Sequence, residues 1–508
     1  MRGLLIFPLF HLLMSTISTF AASPQENDDL AALNALKALQ IDSATILSVT
    51  RETLPLQNPD GHPPTNLPPR TIVKLVLNPA KGSNIHVEIW LPDREKWNTR
   101  FLGLGNGGSA GQIHPGNFTG PISEGYAVAT TDMGTAPNSD SGIGNSEVWK
   151  DFGFRATHLM TVAAKKIVHA FYGKDPAFSY FSGGSTGGQQ AFQEAQRYPE
   201  DYDGIVANIP AQCRTPLHAY FLWNDQIFHK CPFTESQQKN IIAAGNEYMA
   251  PRETPATAGK LVSDPRCNAA DIEAVIKLAM QKDPTLTKEH ADALRKLFDG
   301  PRRAVTGERI FDGIPFGASF DNAHGNLYLF QWVFGAKQNL MDLNFGDDID
   351  KYTAALGPYL NAENPDLTLF EKRGGKLISM AGSADGCVPY HSCIDYYERV
   401  AALFGSIEKV RSFFRFYIIP GMGHGGGPGI NNLPGSLNLV IAWREKGIAP
   451  EMIRARRIIE GKTEIDIPLY PYPTKTGWDA ATSTFIPVEG PRGGVDRVAE
   501  RFRPPAAE

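Results

Sequence analysis

Gly183-Gly184-Ser185-Thr186-Gly187 lies between the apolar run Phe178-Ser179-Tyr180-Phe181 and Gln189-Gln190-Ala191-Phe192. The stretch reads as a strand, a sharp turn carrying one serine, and a helix. This is the G-x-S-x-G pattern of a nucleophile elbow, in which flanking glycines let the chain reverse tightly and lift the serine oxygen to the top of a sheet. A plain Gly-rich strand-to-helix loop has the same composition, so the reading depends on what the rest of the chain supplies.

Upstream, strand-like runs occur at Ile72–Leu77, Ile85–Trp90, Phe101–Leu104 and Tyr126–Thr131, and helical spacing of apolar residues covers 155–171. Downstream, Ile205–Pro210 reads as a buried strand. Alternating strands and helices predict an α/β fold with a mostly parallel sheet covered on both faces. Residues 211–365 break the rhythm with helix formers, aromatics and loops. It resumes with a strand at Lys376–Met380, a helix around Tyr396–Phe404 and a strand at Phe413–Ile419. The sequence therefore predicts a sheet core in two parts, 23–210 and 366–508, with 211–365 inserted as a lid. The last part ends in an irregular tail.

The N-terminus differs from the rest. Arg2, the apolar run Leu4–Phe10 with Leu12–Met14, and the small residues to Ala22 form a charged region, a short hydrophobic region and a cleavage site. Residues 1–22 are expected to be a signal peptide, with a secreted or periplasmic product. The 508 residues carry a formal charge of −5 and no basic block, which disfavours a nucleic-acid partner; no later run is long enough to span a membrane. The five cysteines, Cys213, Cys231, Cys267, Cys387 and Cys393, leave at least one unpaired or paired between chains. Cys213 with Cys231 and Cys387 with Cys393 are the local pairs open to a disulfide. No C-x-x-C or matching histidine spacing suggests a metal.

An activated serine needs a base, and the base needs an orienting acid. In this architecture they follow in the order Ser, Asp or Glu, His, each in a loop after a strand. Asp385 follows the strand at 376–380, and His424, in Gly421-Met422-Gly423-His424-Gly425, follows the strand at 413–419. Asp395 falls within a predicted helix, so Asp385 is the better-placed acid. Ser185, Asp385 and His424 are therefore the predicted triad. Negative charge on the attacked carbonyl requires an oxyanion hole. Its donors are expected from the backbone of Thr186 and of Gly107 and Gly108, in the loop Leu104-Gly105-Asn106-Gly107-Gly108. That loop lacks the lysine of a phosphate-binding loop.

With these residues in place, the chain resembles the tannase and feruloyl esterase family, which also includes a bacterial hydrolase of mono(hydroxyethyl) terephthalate. The resemblance is carried by Gly105–Gly108, Ser185–Gln190, Ala195–Ala207, Gly374–Ile378, Asp395–Val400 and Pro420–His424, spanning about 100 to 445. It implies an α/β-hydrolase core with a large lid, a triad on Ser185, Asp385 and His424, and esters of aromatic acids as substrates. Two departures stand out. The resemblance implies a disulfide between a cysteine before the nucleophile and one after the catalytic histidine, where this chain has Gly184 and Gly425. It also implies a lid calcium site near Pro251–Cys267, where Glu253 and Asp264 offer few ligands. No cofactor is therefore expected.

The expected partner is a small aromatic ester, through an acyl-enzyme. A non-catalytic binding protein on the same scaffold and an acyltransferase with the same triad remain open. The lid aromatics Phe221, Trp223, Tyr328, Phe330, Trp332 and Phe334 are either an apolar wall for a planar ring or lid core. Arg302, Arg303 and Arg309 are cations for an anionic substrate or part of a solvated face.

Overall fold

The alternating runs form a nine-stranded sheet in a computed structural model that describes residues 24–57, 62–108, 111–136, 138–320, 327–427 and 429–493. The predicted signal peptide lies outside the described residues. The strands are β1 (Ala44–Glu52), β2 (Arg70–Leu77), β3 (Ile85–Pro92), β4 (Arg100–Leu104), β5 (Ala127–Thr131), β6 (Phe178–Gly184), β7 (Gly204–Asn208), β8 (Lys376–Gly382) and β9 (Phe414–Ile419). Their order is β1-β2-β3-β5-β4-β6-β7-β8-β9. The first four in that order pair antiparallel, and from β5 onward every pair is parallel.

Successive side chains leave opposite faces of a strand, and the core divides accordingly. Phe101, Phe181, Ile205, Leu377 and Phe414 join one buried cluster, with the helices Ala156–Tyr172, Thr186–Arg197 and His391–Phe404. Their neighbours Leu102, Tyr180, Val206, Ile378 and Tyr417 join the other, with the helix Ser436–Lys446. Runs apolar at every position are thus explained by burial on both faces.

Between β7 and β8 the chain leaves the sheet for residues 209–375, whose described part is built of helices and loops with one isolated bridge, Arg302 to Arg309. It returns in register, with Ala207 opposite Ser379 and Asn208 opposite Met380. The C-terminal part differs from the predicted irregular tail. Ile453–Ile459 pairs with Lys462–Leu469, and Thr474–Asp479 pairs with Thr484–Glu489, as two hairpins. Ile453, Ala455, Ile465, Ile467 and Leu469 are buried on the second cluster. The alternation in Ile453-Arg454-Ala455-Arg456 was the signal, obscured by the charged residues on the solvent side. No helix among the described residues is long and apolar enough to cross a membrane.

Candidate active site

β6 ends at Gly184 and the next helix starts at Thr186, so Ser185 alone makes the turn. Its backbone sits at φ 58°, ψ −116°, a region that costs about 1–3 kcal/mol for a residue with a side chain. The surroundings impose it. The Ser185 N–H donates to the Asn208 carbonyl at the end of β7 (3.0 Å), and its own carbonyl accepts from Gln189 and Ala211 (both 3.1 Å). Gly105 needs to lack a side chain, since a Cβ there would lie 2.6 Å from Gly187 Cα. The loop after β4 therefore rests directly on the start of the nucleophile helix.

That loop is fixed from several sides. Gly105 N donates to Ser182 O (2.9 Å), Asn106 N to Gln190 Oε1 (2.8 Å), and Asn106 Nδ2 to Thr131 O (2.6 Å). Thr186, fully buried, donates its hydroxyl to the Gly108 carbonyl (2.7 Å). The two predicted sources of oxyanion donors, Thr186 and Gly107–Gly108, are thereby brought together.

Asp385 and His424, the predicted acid and base, follow adjacent parallel strands, β8 and β9. Beyond their paired ends the two loops continue side by side: Ser383 N donates to Ile419 O (3.0 Å) and Ala384 N to Met422 O (3.1 Å). Ser383, fully buried, accepts from Gly421 N (2.7 Å) and donates to Val262 O (2.5 Å), tying both loops to the helical insertion. His424 Nε2 lies 3.0 Å from Ser185 Oγ, and His424 Nδ1 lies 2.9 Å from Asp385 Oδ2. The other Asp385 oxygen accepts from Cys387 N (2.9 Å) and Val388 N (2.8 Å). Asp385 is fully buried, so its orientation is set. Burial disfavours the charged imidazole of His424, but the hydrogen bond to Asp385 and the neighbouring Cys387 side chain outweigh it and push its pKa up to about 10. Ser185, His424 and Asp385 thus form one hydrogen-bonded line, the geometry a proton transfer from serine to imidazole requires.

All five cysteines are free. Cys213 and Cys231 stand at opposite ends of the helix Arg214–Lys230, more than 20 Å apart at the helical rise, so the first local pairing is excluded by geometry. Cys393 faces Gln212 in the core, at 3.6 Å, while Cys387 lies in the acid loop. At the implied disulfide positions, Gly184 has room for a Cβ and Gly425 sits at φ 76° with no atom within 4 Å of one.

The segment Pro251–Cys267 does not offer calcium a set of ligands. Its only acids are Glu253 and Asp264. Glu253 accepts from Ser263 N and Ser263 Oγ (both 2.6 Å) and from Thr257 Oγ1 (2.9 Å). Asp264 is held bidentately by Arg266 (2.8 and 2.5 Å) and accepts from Tyr390 (3.1 Å). A hard dication needs several free oxygens, and these are already used. His158, Glu194 and Asp201 also bring three ligand atoms within 4.8 Å of one another. There His158 already bonds Asp201 (2.6 Å), and burial, then Asp201, hold the Glu194 carboxyl well above the usual range. A cavity of about 490 Å³, lined by Arg266, Ile418, Leu469 and Tyr472 among others, includes none of the triad.

The other sequence candidates fall elsewhere. Phe221, Phe330 and Trp332 are buried core, with Phe330 stacked on Tyr352 at 4.1 Å. Trp223 donates to Lys296 O (3.0 Å). Arg302 and Arg309 both pair with Asp299, and Arg303 pairs with Asp350. A cation that does reach the site is Arg214, which donates to Thr186 Oγ1 (2.9 Å). Sequence reading missed it because nothing in Cys213-Arg214-Thr215-Pro216 signals a contact 28 positions back.

A sequence model described as tannase and feruloyl esterase matches residues 71–339 and 332–486. An uncharacterized esterase of Xanthomonas campestris pv. campestris is 28% identical over 95% of this chain and 95% of its own. A probable feruloyl esterase B-2 of Aspergillus flavus is 30% identical over 78% of this chain and 81% of its own. Among solved structures, feruloyl esterase B from Aspergillus oryzae superposes with a TM-score of 0.78 at 24% identity, covering 90% of this chain and 99% of that one. Tannin acyl hydrolase from Aspergillus niger does so with a TM-score of 0.73 at 20% identity, covering 92% and 96%. The α/β-hydrolase architecture expected from the sequence is the one observed.

Proposed function

The chain belongs to the tannase and feruloyl esterase family, and we propose that it is a secreted serine esterase that hydrolyses esters of aromatic acids, of the feruloyl or galloyl type, through an acyl-enzyme. The observation that carries this reading is the line from Ser185 through His424 to Asp385, at 3.0 and 2.9 Å. His424 Nε2 takes the serine proton as Oγ attacks the ester carbonyl. Asp385 keeps the other ring nitrogen protonated and stabilises the imidazolium. The backbone N–H groups of Thr186, Gly107 and Gly108 receive the oxyanion. His424 returns its proton to the leaving alcohol, then activates the water that releases the acid. The helical insertion serves as the lid and sets the acyl group, and no calcium is needed to fold it. The signal-like N-terminus supports export.

The test is a panel of aromatic methyl esters, feruloyl, galloyl and terephthaloyl, against the wild type and Ser185→Ala, with labelling by a serine-directed phosphonate. Turnover that disappears in Ser185→Ala, with an adduct on Ser185, is expected. No adduct would overturn the enzyme reading in favour of a ligand-binding protein. Ester products from a competing alcohol, in place of free acid, would make it an acyltransferase.

A further inference from the structure

Arg214 opens the helix Arg214–Lys230 and is 2% exposed. Its Nε donates to His218 Nε2 (2.9 Å) and its Nη1 to Thr186 Oγ1 (2.9 Å), while Nη2 is buried with no partner. The guanidinium lies 5.4 Å from the Phe152 ring centre. Among the described residues no carboxylate is within ion-pair distance of it. His218 does not supply charge of either sign: burial, then Arg214, hold its pKa well below the usual value, and its Nδ1 faces Tyr352 Oη at 2.5 Å. Arginine stays protonated in proteins, so the core behind the nucleophile holds a positive charge without a counter-ion.

A lone buried charge is strongly unfavourable for stability, and such violations concentrate at functional sites. The position here is specific. Thr186 Oγ1 accepts from Arg214 and donates to the Gly108 carbonyl (2.7 Å). The relay Arg214–Thr186–Gly108 therefore crosses between the two backbone segments assigned above to the oxyanion hole. A charge one hydroxyl removed from that hole acts in a medium of low dielectric, where its effect is large. A neutral ester carbonyl gains little from it, and a tetrahedral oxyanion gains much more. Such a difference appears in kcat and hardly in KM.

We infer that Arg214 is a positioning residue of the oxyanion hole: through Thr186 it fixes the Gly108 peptide against the nucleophile helix, and its unpaired charge finds its counter-ion only when negative charge develops on the substrate. The inference rests on the esterase reading above.

The experiment compares wild type, Arg214→Met, Arg214→Lys, Thr186→Val and Thr186→Ser on an aromatic methyl ester that the wild type hydrolyses, recording kcat, KM and melting temperature. In Arg214→Met, kcat falls about 10- to 100-fold, somewhat below the loss of a direct oxyanion donor, and KM stays within about twofold. Its melting temperature is unchanged or higher, because an unpaired buried charge is gone. Arg214→Lys recovers part of kcat, and Thr186→Ser recovers most of what Thr186→Val loses. Wild-type kcat in Arg214→Met overturns the inference. So does a loss of kcat accompanied by an equal loss of stability, which is what a merely structural arginine produces. If Arg214→Met fails to fold, the Thr186 pair decides, and a Thr186→Val enzyme with wild-type kcat refutes the relay. A wild type without turnover or phosphonate adduct instead defeats the esterase reading itself.

Discussion

Ser383→Ala removes one buried hydroxyl that serves three segments. The hydroxyl accepts from Gly421 N and donates to Val262 O, so alanine leaves a buried N–H and a buried carbonyl without partners. Each orphaned group costs about 1–3 kcal/mol, and the variant should lose about 2–6 kcal/mol. The strand above provides a matched control. Ser379 is 1% exposed and its hydroxyl has no hydrogen-bond partner. Ser379→Ala should therefore be neutral, or stabilising by up to about 1 kcal/mol, since it removes an unsatisfied buried polar group. Urea unfolding reads both, as a shift in midpoint at unchanged slope. Activity reads the second consequence. Gly421 leads into the loop that carries His424, and displacement of the imidazole by about 1 Å can lower the rate on the order of a hundredfold. Equal stability of the two alanine variants, or a Ser383→Ala enzyme with wild-type midpoint and kcat, would refute the argument that this hydroxyl holds the acid and base loops together.

Three further outcomes follow from the site. The raised imidazole of His424 places the acid limb of kcat/KM above pH 6.5, because the base form appears only as pH rises through its pKa. The same shift adds stability that is complete below pH 6.5 and is lost as pH rises towards about 10. Asp385→Asn should lower kcat by about 10⁴-fold, move the limb down and flatten the pH dependence of melting; an unmoved limb would separate the limb from His424. Chelation by EDTA should leave the melting temperature unchanged, while Glu253→Gln, which weakens the hydrogen bonds to Ser263 and Thr257, lowers stability by about 1–3 kcal/mol. A chelator-induced drop in melting temperature would contradict this. Gly425→Cys alone should cost about 1 kcal/mol, since its φ of 76° favours glycine. The oxidised Gly184→Cys/Gly425→Cys pair should melt above its reduced form by the equivalent of about 2–4 kcal/mol, and identical melting in both redox states would show that the two positions do not meet.

The parts legible in the sequence are those encoded locally. β4 to β9, the elbow, and the loops of Asp385 and His424 each carry a short pattern of apolar run, glycine and functional residue. The geometry that connects them was not legible to the same degree. The contacts of Arg214 with Thr186 and of Ser383 with Val262 join positions far apart in the chain, and neither residue stands out among its neighbours. Arg302, Arg303 and Arg309 stand among charged residues in the sequence, but Asp299 and Asp350 claim them in the fold. Phe330 and Trp332 matched an aromatic wall in composition, and only packing shows that they fill the interior.

The long excursion between β7 and β8 separates Ser185 from Asp385 and His424 along one seam. The part up to Asn208 carries Ser185 and the loop after β4, and the part from Lys376 carries Asp385 and His424. A chain cleaved within residues 209–375 would yield two pieces, neither with a complete triad, whose reunion depends on β7 finding β8. Recovered turnover on mixing such pieces would then count correctly zipped sheets.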